Sequence, residues 1–364
     1  MNFYVVNNKN LYSALSMARF PMILAILFIH SNFLLFALPN RNDISDISVF
    51  IAFRDIFDSF VLRLAVPAFF ILSGFMFFRN GPELSFNNYT SKLKSRTKSL
   101  LIPYIIWNTL GLMTMYVKKL PSLSHNFPQY ADYHFTLTDI LSGYIRLDNV
   151  PYPYDMPLWF IRNLIFVIIF TPAIGVLLKY TKRLTPLVIL TAIILSRDIM
   201  HFADPLGLLS SFLFFSVGAT LACNMRELIS VKKPVFTIAI YIVLKTIEYA
   251  TSDYDNIPMT ILTYCATVTG SIGILQLARS MFDKGIEIPE KLEKSSFFIF
   301  CMHGLYCSVA CKFVCSILPP TDNLLCFIDY FAIFSLLLCT SMITYLILNY
   351  FWPRLTAILS GGRS

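Results

Sequence analysis

A chain of 364 residues that is 56% hydrophobic and only 14% charged, with a mean hydropathy of +0.65, lies far from soluble composition, where about a quarter of residues are charged. The charge deficit and 34 phenylalanines exclude an ordinary soluble domain and imply one integral membrane domain over residues 1–364. The net charge of +8 does not point to nucleic acid, because its distribution along the chain has another cause.

The N-terminal stretch "MNFYVVNNKNLYSALSMAR" lacks the basic start, apolar core and small-residue cleavage site of a signal peptide, so the first apolar segment is expected to remain. Ten apolar segments follow, at roughly 17–38, 62–78, 100–117, 157–178, 184–197, 206–223, 234–250, 257–280, 295–316 and 324–350, the fifth of them short. The fold class expected is therefore all-α, a polytopic membrane helical bundle with about ten spans and its core at about 16–350. With the N-terminus inside, cytoplasmic segments hold 19 of the 29 basic residues and the outer segments seven, among them Arg41, Arg54, Arg63, Lys118 and Arg146. That asymmetry follows the positive-inside rule and places both termini in the cytoplasm. The basic balance is a topology signal, with membrane lipids rather than nucleic acid as the partner.

The first segment, "SMARFPMILAILFIHSN", carries Arg19 and, eleven residues later, His30. Eleven helical steps bring the two onto one stripe, roughly 16 Å apart along the axis. Groups of this kind at membrane depth are costly and need a reason. The segment 46–78 is too long for one span, and Pro67 offers a break after an amphipathic stretch containing Asp55, Asp58 and Arg63. Between spans two and three, Lys92, Lys94, Arg96 and Lys98 form a basic inner loop that can enforce topology, touch anionic lipid or hold a phosphorylated substrate. Residues 118–156 form the longest outer loop, whose "YPYDMPLW" reads as ordered.

Further along, Arg162 and Asn163 lie in span four, Lys245 and Glu248 in span seven, His303 and Lys312 in span nine and Asp329 in span ten. Lys245 and Glu248, three apart on one helix, are expected to pair with each other. Lys312 and Asp329 near span ends read as snorkelling groups or a mutual pair. His30 and His303 are either hydrogen-bonding glue between helices or proton-shuttling groups. Cys307, Cys311 and Cys315 share a stripe without a His or acid at ligand spacing, so they read as small packing residues, and no metal is expected.

"ARFPMILAILFIHSN" resembles the first-span Arg-x10-His signature of the acyltransferase 3 family, bacterial integral-membrane O-acyltransferases of cell-surface glycans. "VPAFFILSGFMFF", with Pro67, Phe69, Phe70, Ser73, Gly74 and Phe75, resembles its second span. "KSRTKSLLIPYIIWN", "PLWFIRNLIFVIIFTP" and "SSFFIFCMHGLY" are similar to later segments of the same family, in the same order. The resemblance implies transfer of an acyl group, acetyl from acetyl-CoA or another acyl-CoA donor, to a hydroxyl of a glycan or lipid-linked sugar at the cell's inner membrane. It implies His30 and Arg19 as the catalytic pair and Arg96, Lys98, Lys94 and Ser73 as donor-binding residues. His303, Arg162, Asn163 and Asn108 are then candidates for the acceptor site or for supporting the reacting groups. Only Arg96 is an arginine where the family often has two before the proline, and lysine lacks the bidentate fork. On this reading His30 either takes the hydroxyl proton or carries the acyl group itself. The rival reading is a glycan or small-molecule transporter, which inverted repeats with matching broken spans would favour.

Overall fold

The protein is described by a computed structural model covering residues 8–34, 45–127, 133–145, 153–200, 204, 207–229, 234–252, 254 and 256–362. Arg41, Arg146, Lys232, Lys233 and Arg363, which entered the charge count, lie outside these residues, as does the end of the first expected span. The described residues form α-helices joined by short 3-10 and π turns, with no strand among them. In chain order the helices begin with α1 (Asn8–Met17), α2 (Arg19–His30), α3 (Ser48–Phe60), α4 (Ala65–Phe77), α5 (Phe86–Arg96) and α6 (Ile102–Lys118). They continue with α7 (Leu137–Ile145), α8 (Trp159–Ile169), α9 (Thr171–Thr181), α10 (Thr185–Ile194), α11 (Leu208–Asn224) and α12 (Val235–Ala250). The last are α13 (Ile257–Asp283), α14 (Glu290–Ile317), α15 (Asn323–Phe351) and α16 (Pro353–Leu359).

Among the described residues, six helical runs are long and apolar enough to cross a bilayer: Asn10–His30, Ser48–Phe77, Phe86–Lys118, Ile257–Asp283, Glu290–Ile317 and Asn323–Phe351. A seventh arises if Met156–Ile169 and Thr171–Arg197, bent by 62° at their junction, count together. The chain is thus a multi-pass membrane protein, and this criterion does not reach ten spans. Two of the ten expected segments are the short helices α11 and α12, and the fourth and fifth meet in the bent pair.

The bend has a local cause. Pro172 has no N–H to give the carbonyl of Ile168, and the Thr171 hydroxyl donates to that carbonyl instead, at 2.7 Å. At the other expected break, the 3-10 turn Leu62–Leu64 interrupts the run just before Pro67. Pro67 itself sits in the first turn of α4, where a missing N–H has no intrahelical partner to lose. The basic segment before span three is not a loop. It is helical from Phe86, because it holds no glycine or proline, and passes through a π turn at Thr97–Leu101 into α6.

The residues group into two compact units: Met1–Ala25, Phe57–Ser91 and Phe166–Glu293 in one; Ile26–Ile56, Lys92–Ile165 and Lys294–Ser364 in the other. Within the first, α4 and α11 touch backbone to backbone. A Cβ on Gly74 would stand 1.9 Å from the carbonyl oxygen of Phe215, and one on Gly218 1.9 Å from that of Ile71. Such close approach is how membrane helices gain packing without a hydrophobic drive between them. Lys245 and Glu248 do pair, at 2.5 Å, on α12 of this unit. Within the second unit, aromatic rings close the core: Phe28 stacks on Phe334 and Trp107 meets Phe298 edge-on. Trp107 also donates its indole N–H to the carbonyl of Leu359, at 3.0 Å, and the Tyr306 hydroxyl donates to that of Leu337, at 2.8 Å, tying α6 to α16 and α14 to α15.

Candidate active site

The second unit collects most of the polar residues singled out in the sequence. His30 ends α2 and is half-buried, while His303 lies in the middle of α14 with no exposed surface. Their ring centroids are 5.0 Å apart at an interplanar angle of 57°. Nδ1 of His303 lies 3.3 Å from the carbonyl oxygen of Ile299, one turn earlier on the same helix. A carbonyl only accepts, so in this contact Nδ1 carries a proton and donates it. Nε2 of His303 is buried without a hydrogen-bond partner among the described residues. The helix behind His30 is held by Ser31, whose hydroxyl donates to the carbonyl of Leu27 at 2.8 Å.

Beside His303, the ordered stretch from Pro153 enters the helix pack. A Cβ on Gly304 of α14 would fall 2.0 Å from Oδ1 of Asp155 and 2.6 Å from Cδ of Pro157. On α6 a Cβ at Gly111 would fall 2.5 Å from the Asp155 nitrogen. Two glycines on two helices thus make room for one loop residue. Asn108, fully buried on α6, fixes that loop from both ends of its amide: Oδ1 accepts from the Asp155 N–H at 3.2 Å and Nδ2 donates to the carbonyl of Gly143 at 2.8 Å. Both carboxylate oxygens of Asp155 are buried without a hydrogen-bond partner among the described residues. Burial pushes this carboxyl well above the usual carboxylate range, with Lys118 opposing the shift. Lys118 itself is buried and donates to the hydroxyl of Ser308 at 3.1 Å.

Of the remaining candidates, Arg162 and Asn163 are fully buried at the start of α8, with Nη2 of Arg162 3.5 Å from Oδ1 of Asn163. Arg96 is half-buried at the end of α5, and Lys94 and Lys98 are exposed nearby. These belong to the second unit, whereas Arg19 and Ser73 lie in the first. Arg19 opens the helix that ends in His30 and has Glu293 within electrostatic reach. The first unit also holds a cavity of about 830 Å³ lined by Tyr12, Ser16, Arg79, Phe282, Glu290 and Glu293 among others. No group of three or more His, Cys, Asp or Glu side chains converges as metal ligands among the described residues. In the sequence Asp155 stands only as one acid of the 118–156 outer loop. Its signal was the "YPYDMPLW" setting, two prolines bracketing an acid just before a span.

The acyltransferase domain profile of the acyltransferase 3 family matches residues 12–354. The chain belongs to that family. The match spans both units, from α1 to α16, and so covers every candidate residue named above. Among curated proteins, a succinoglycan biosynthesis protein, ExoH, of Rhizobium meliloti (strain 1021) is 28% identical in an alignment of 259 residues that covers 67% of this chain. The chain covers 65% of that relative's length. No solved structure matches the chain.

Proposed function

We propose that this acyltransferase-family protein moves an acetyl group from acetyl-CoA to a hydroxyl of a cell-envelope glycan at the inner membrane, both units serving the one activity. The observation that carries the reading is the pair of imidazoles, half-buried His30 and fully buried His303, with ring centroids 5.0 Å apart, within a family-matched chain. A sugar hydroxyl is too weakly acidic to attack a thioester unaided, so the chemistry needs a base at membrane depth. His30 takes the hydroxyl proton as the oxygen attacks the thioester carbonyl. The C–S bond then breaks, and the CoA thiolate leaves with the proton that His30 acquired. His303, its Nδ1 held by the Ile299 carbonyl, presents a fixed ring to His30 and so acts as a positioning residue.

Arg19, Arg96, Lys98 and Lys94 supply cations for the CoA phosphates, and Ser73 a hydroxyl on the donor side. Arg162, Asn163 and Asn108 support the acceptor side. For Asn108 the support is concrete, since it pins the loop that carries Asp155. The glycan acceptor is supported by the relative's part in the biosynthesis of succinoglycan, a polysaccharide.

The test compares membranes containing wild type with membranes containing His30→Ala, both supplied with radiolabelled acetyl-CoA. Label entering the envelope glycan fraction only with wild type, at equal protein level, is the expected result. Equal labelling by the variant would remove His30 from the chemistry.

A further inference from the structure

The second unit contains a cavity of about 740 Å³ between α6 and α14, floored by Leu123 and Phe127 of the segment after α6. Its walls are apolar, and several of them are also exposed on the protein's flank: Met113, Val117, Val309 and Phe313 are each more than two-fifths accessible. These residues lie on membrane-crossing helices, so the exposed flank faces hydrocarbon and the slot opens sideways to lipid. One end is different in kind. The ammonium of Lys312 sits 4.6 Å from the centre of the Phe127 ring and that of Lys118 sits 5.4 Å from it. Two cations on different helices therefore converge on one aromatic ring.

A slot that is greasy along its length, open to lipid and doubly cationic at one end matches an amphiphile with an anionic head. Two ammonium groups close together repel each other, and a dianionic head between them turns that repulsion into attraction. A water-borne anion would gain nothing from the apolar length or the lateral opening. The lining also includes Leu305 and Tyr306, within one turn of His303 along α14.

We infer that this cavity binds the phosphate-bearing lipid anchor of the glycan acceptor, with the phosphate between Lys118 and Lys312 and the hydrocarbon chain along Met113, Val117, Val309 and Phe313. The inference rests on the acyl-transfer reading for the identity of the ligand, and its test is a binding measurement that needs no donor. It would therefore fail or succeed separately from catalysis.

The full chain in phosphatidylcholine nanodiscs is titrated with dodecyl phosphate, with dodecyl maltoside and inorganic phosphate as controls. Binding is read by native mass spectrometry. Dodecyl phosphate is expected to bind and both controls to fail at the same concentration. Lys312→Glu should weaken dodecyl phosphate at least about tenfold through the reversed charge. Val309→Trp, which fills the slot and leaves both lysines, should weaken it comparably. Undiminished binding by both variants, or inorganic phosphate binding as well as dodecyl phosphate, overturns the site. Repeating the titration in nanodiscs containing phosphatidylglycerol separates the two lipid sources. Retained binding supports an acceptor anchor, and full displacement would make the cavity a general anionic-lipid site and overturn the assignment.

Discussion

Asp155 shows how much a single loop residue costs to place. Its carboxyl is buried against Gly304, its backbone is anchored by Asn108, and Lys118 supplies an opposing charge. Burial disfavours the ionised form, so the folded-state pKa stands well above the unfolded value of about 3.9. The folded protein then binds this proton more tightly than the unfolded chain does. The resulting stability is complete below the unfolded pKa and is lost as pH rises through the raised folded value. Asp155→Asn keeps the shape and removes the titration. Its thermal midpoint in detergent should therefore fall less than that of wild type as pH rises from 4 to 8. Parallel curves for the two proteins would show that the carboxyl does not carry the shift. No period in the sequence marks this residue, because its environment is made by Gly111 and Gly304, which are distant in the chain and ordinary in their own helices.

At the scale of elements, the apolar segments and the groups stranded within them were legible, because hydropathy and helical periodicity are local properties. Arg19 and His30 do begin and end one helix, His303 does lie deep in another, and Lys245 does meet Glu248. The 62° bend was missed although Thr171-Pro172 stood in the sequence, since hydropathy runs across it without interruption. Helix pairing was not legible either. Gly74 and Gly218 are far apart in sequence, and only packing reveals that each faces the other helix's backbone. That geometry discriminates among glycines. Gly218→Ala drives a methyl to 1.9 Å from the carbonyl oxygen of Ile71, and backbone cannot step aside as a side chain can. The expected loss is about 1–3 kcal/mol, with lower yield in the membrane. Gly273→Ala meets Cγ1 of Ile238 at 3.3 Å and Cγ2 of Thr237 at 3.8 Å, half-exposed side chains free to move. Helix propensity then favours alanine by up to about 1 kcal/mol, so this variant should match or exceed wild type in detergent melting. Equal losses at both positions would mean that the α4–α11 contact is looser than it stands.

For the whole molecule, two physical criteria meet on the number of crossings. Charge asymmetry, read with ten spans, gives the expectation that both ends lie in the cytoplasm. Length and hydropathy give six crossings, or seven with the bent pair, and leave α11 and α12 aside. At about 1.5 Å per residue these helices, of 17 and 16 residues, reach roughly 25 Å against a hydrocarbon core of about 30 Å. A shortfall of that size is met by local thinning at a fraction of a kcal/mol per Å, whereas leaving so apolar a helix in water forfeits far more. Both short helices should therefore cross. Parity makes this measurable: an even number of crossings keeps both ends on one side, and an odd number separates them. Alkaline phosphatase, active only outside, and green fluorescent protein, fluorescent only inside, are fused in turn after residue 364 and after Met225, at the end of α11. If Met156–Ile169 and Thr171–Arg197 each cross, α11 is the sixth crossing and α15 the tenth, so fluorescence without phosphatase activity is expected at both positions. Phosphatase activity at both positions would mean that one crossing is lost before Met225, at α11 or because the bent pair crosses once, and activity at residue 364 alone would place the lost crossing after Met225.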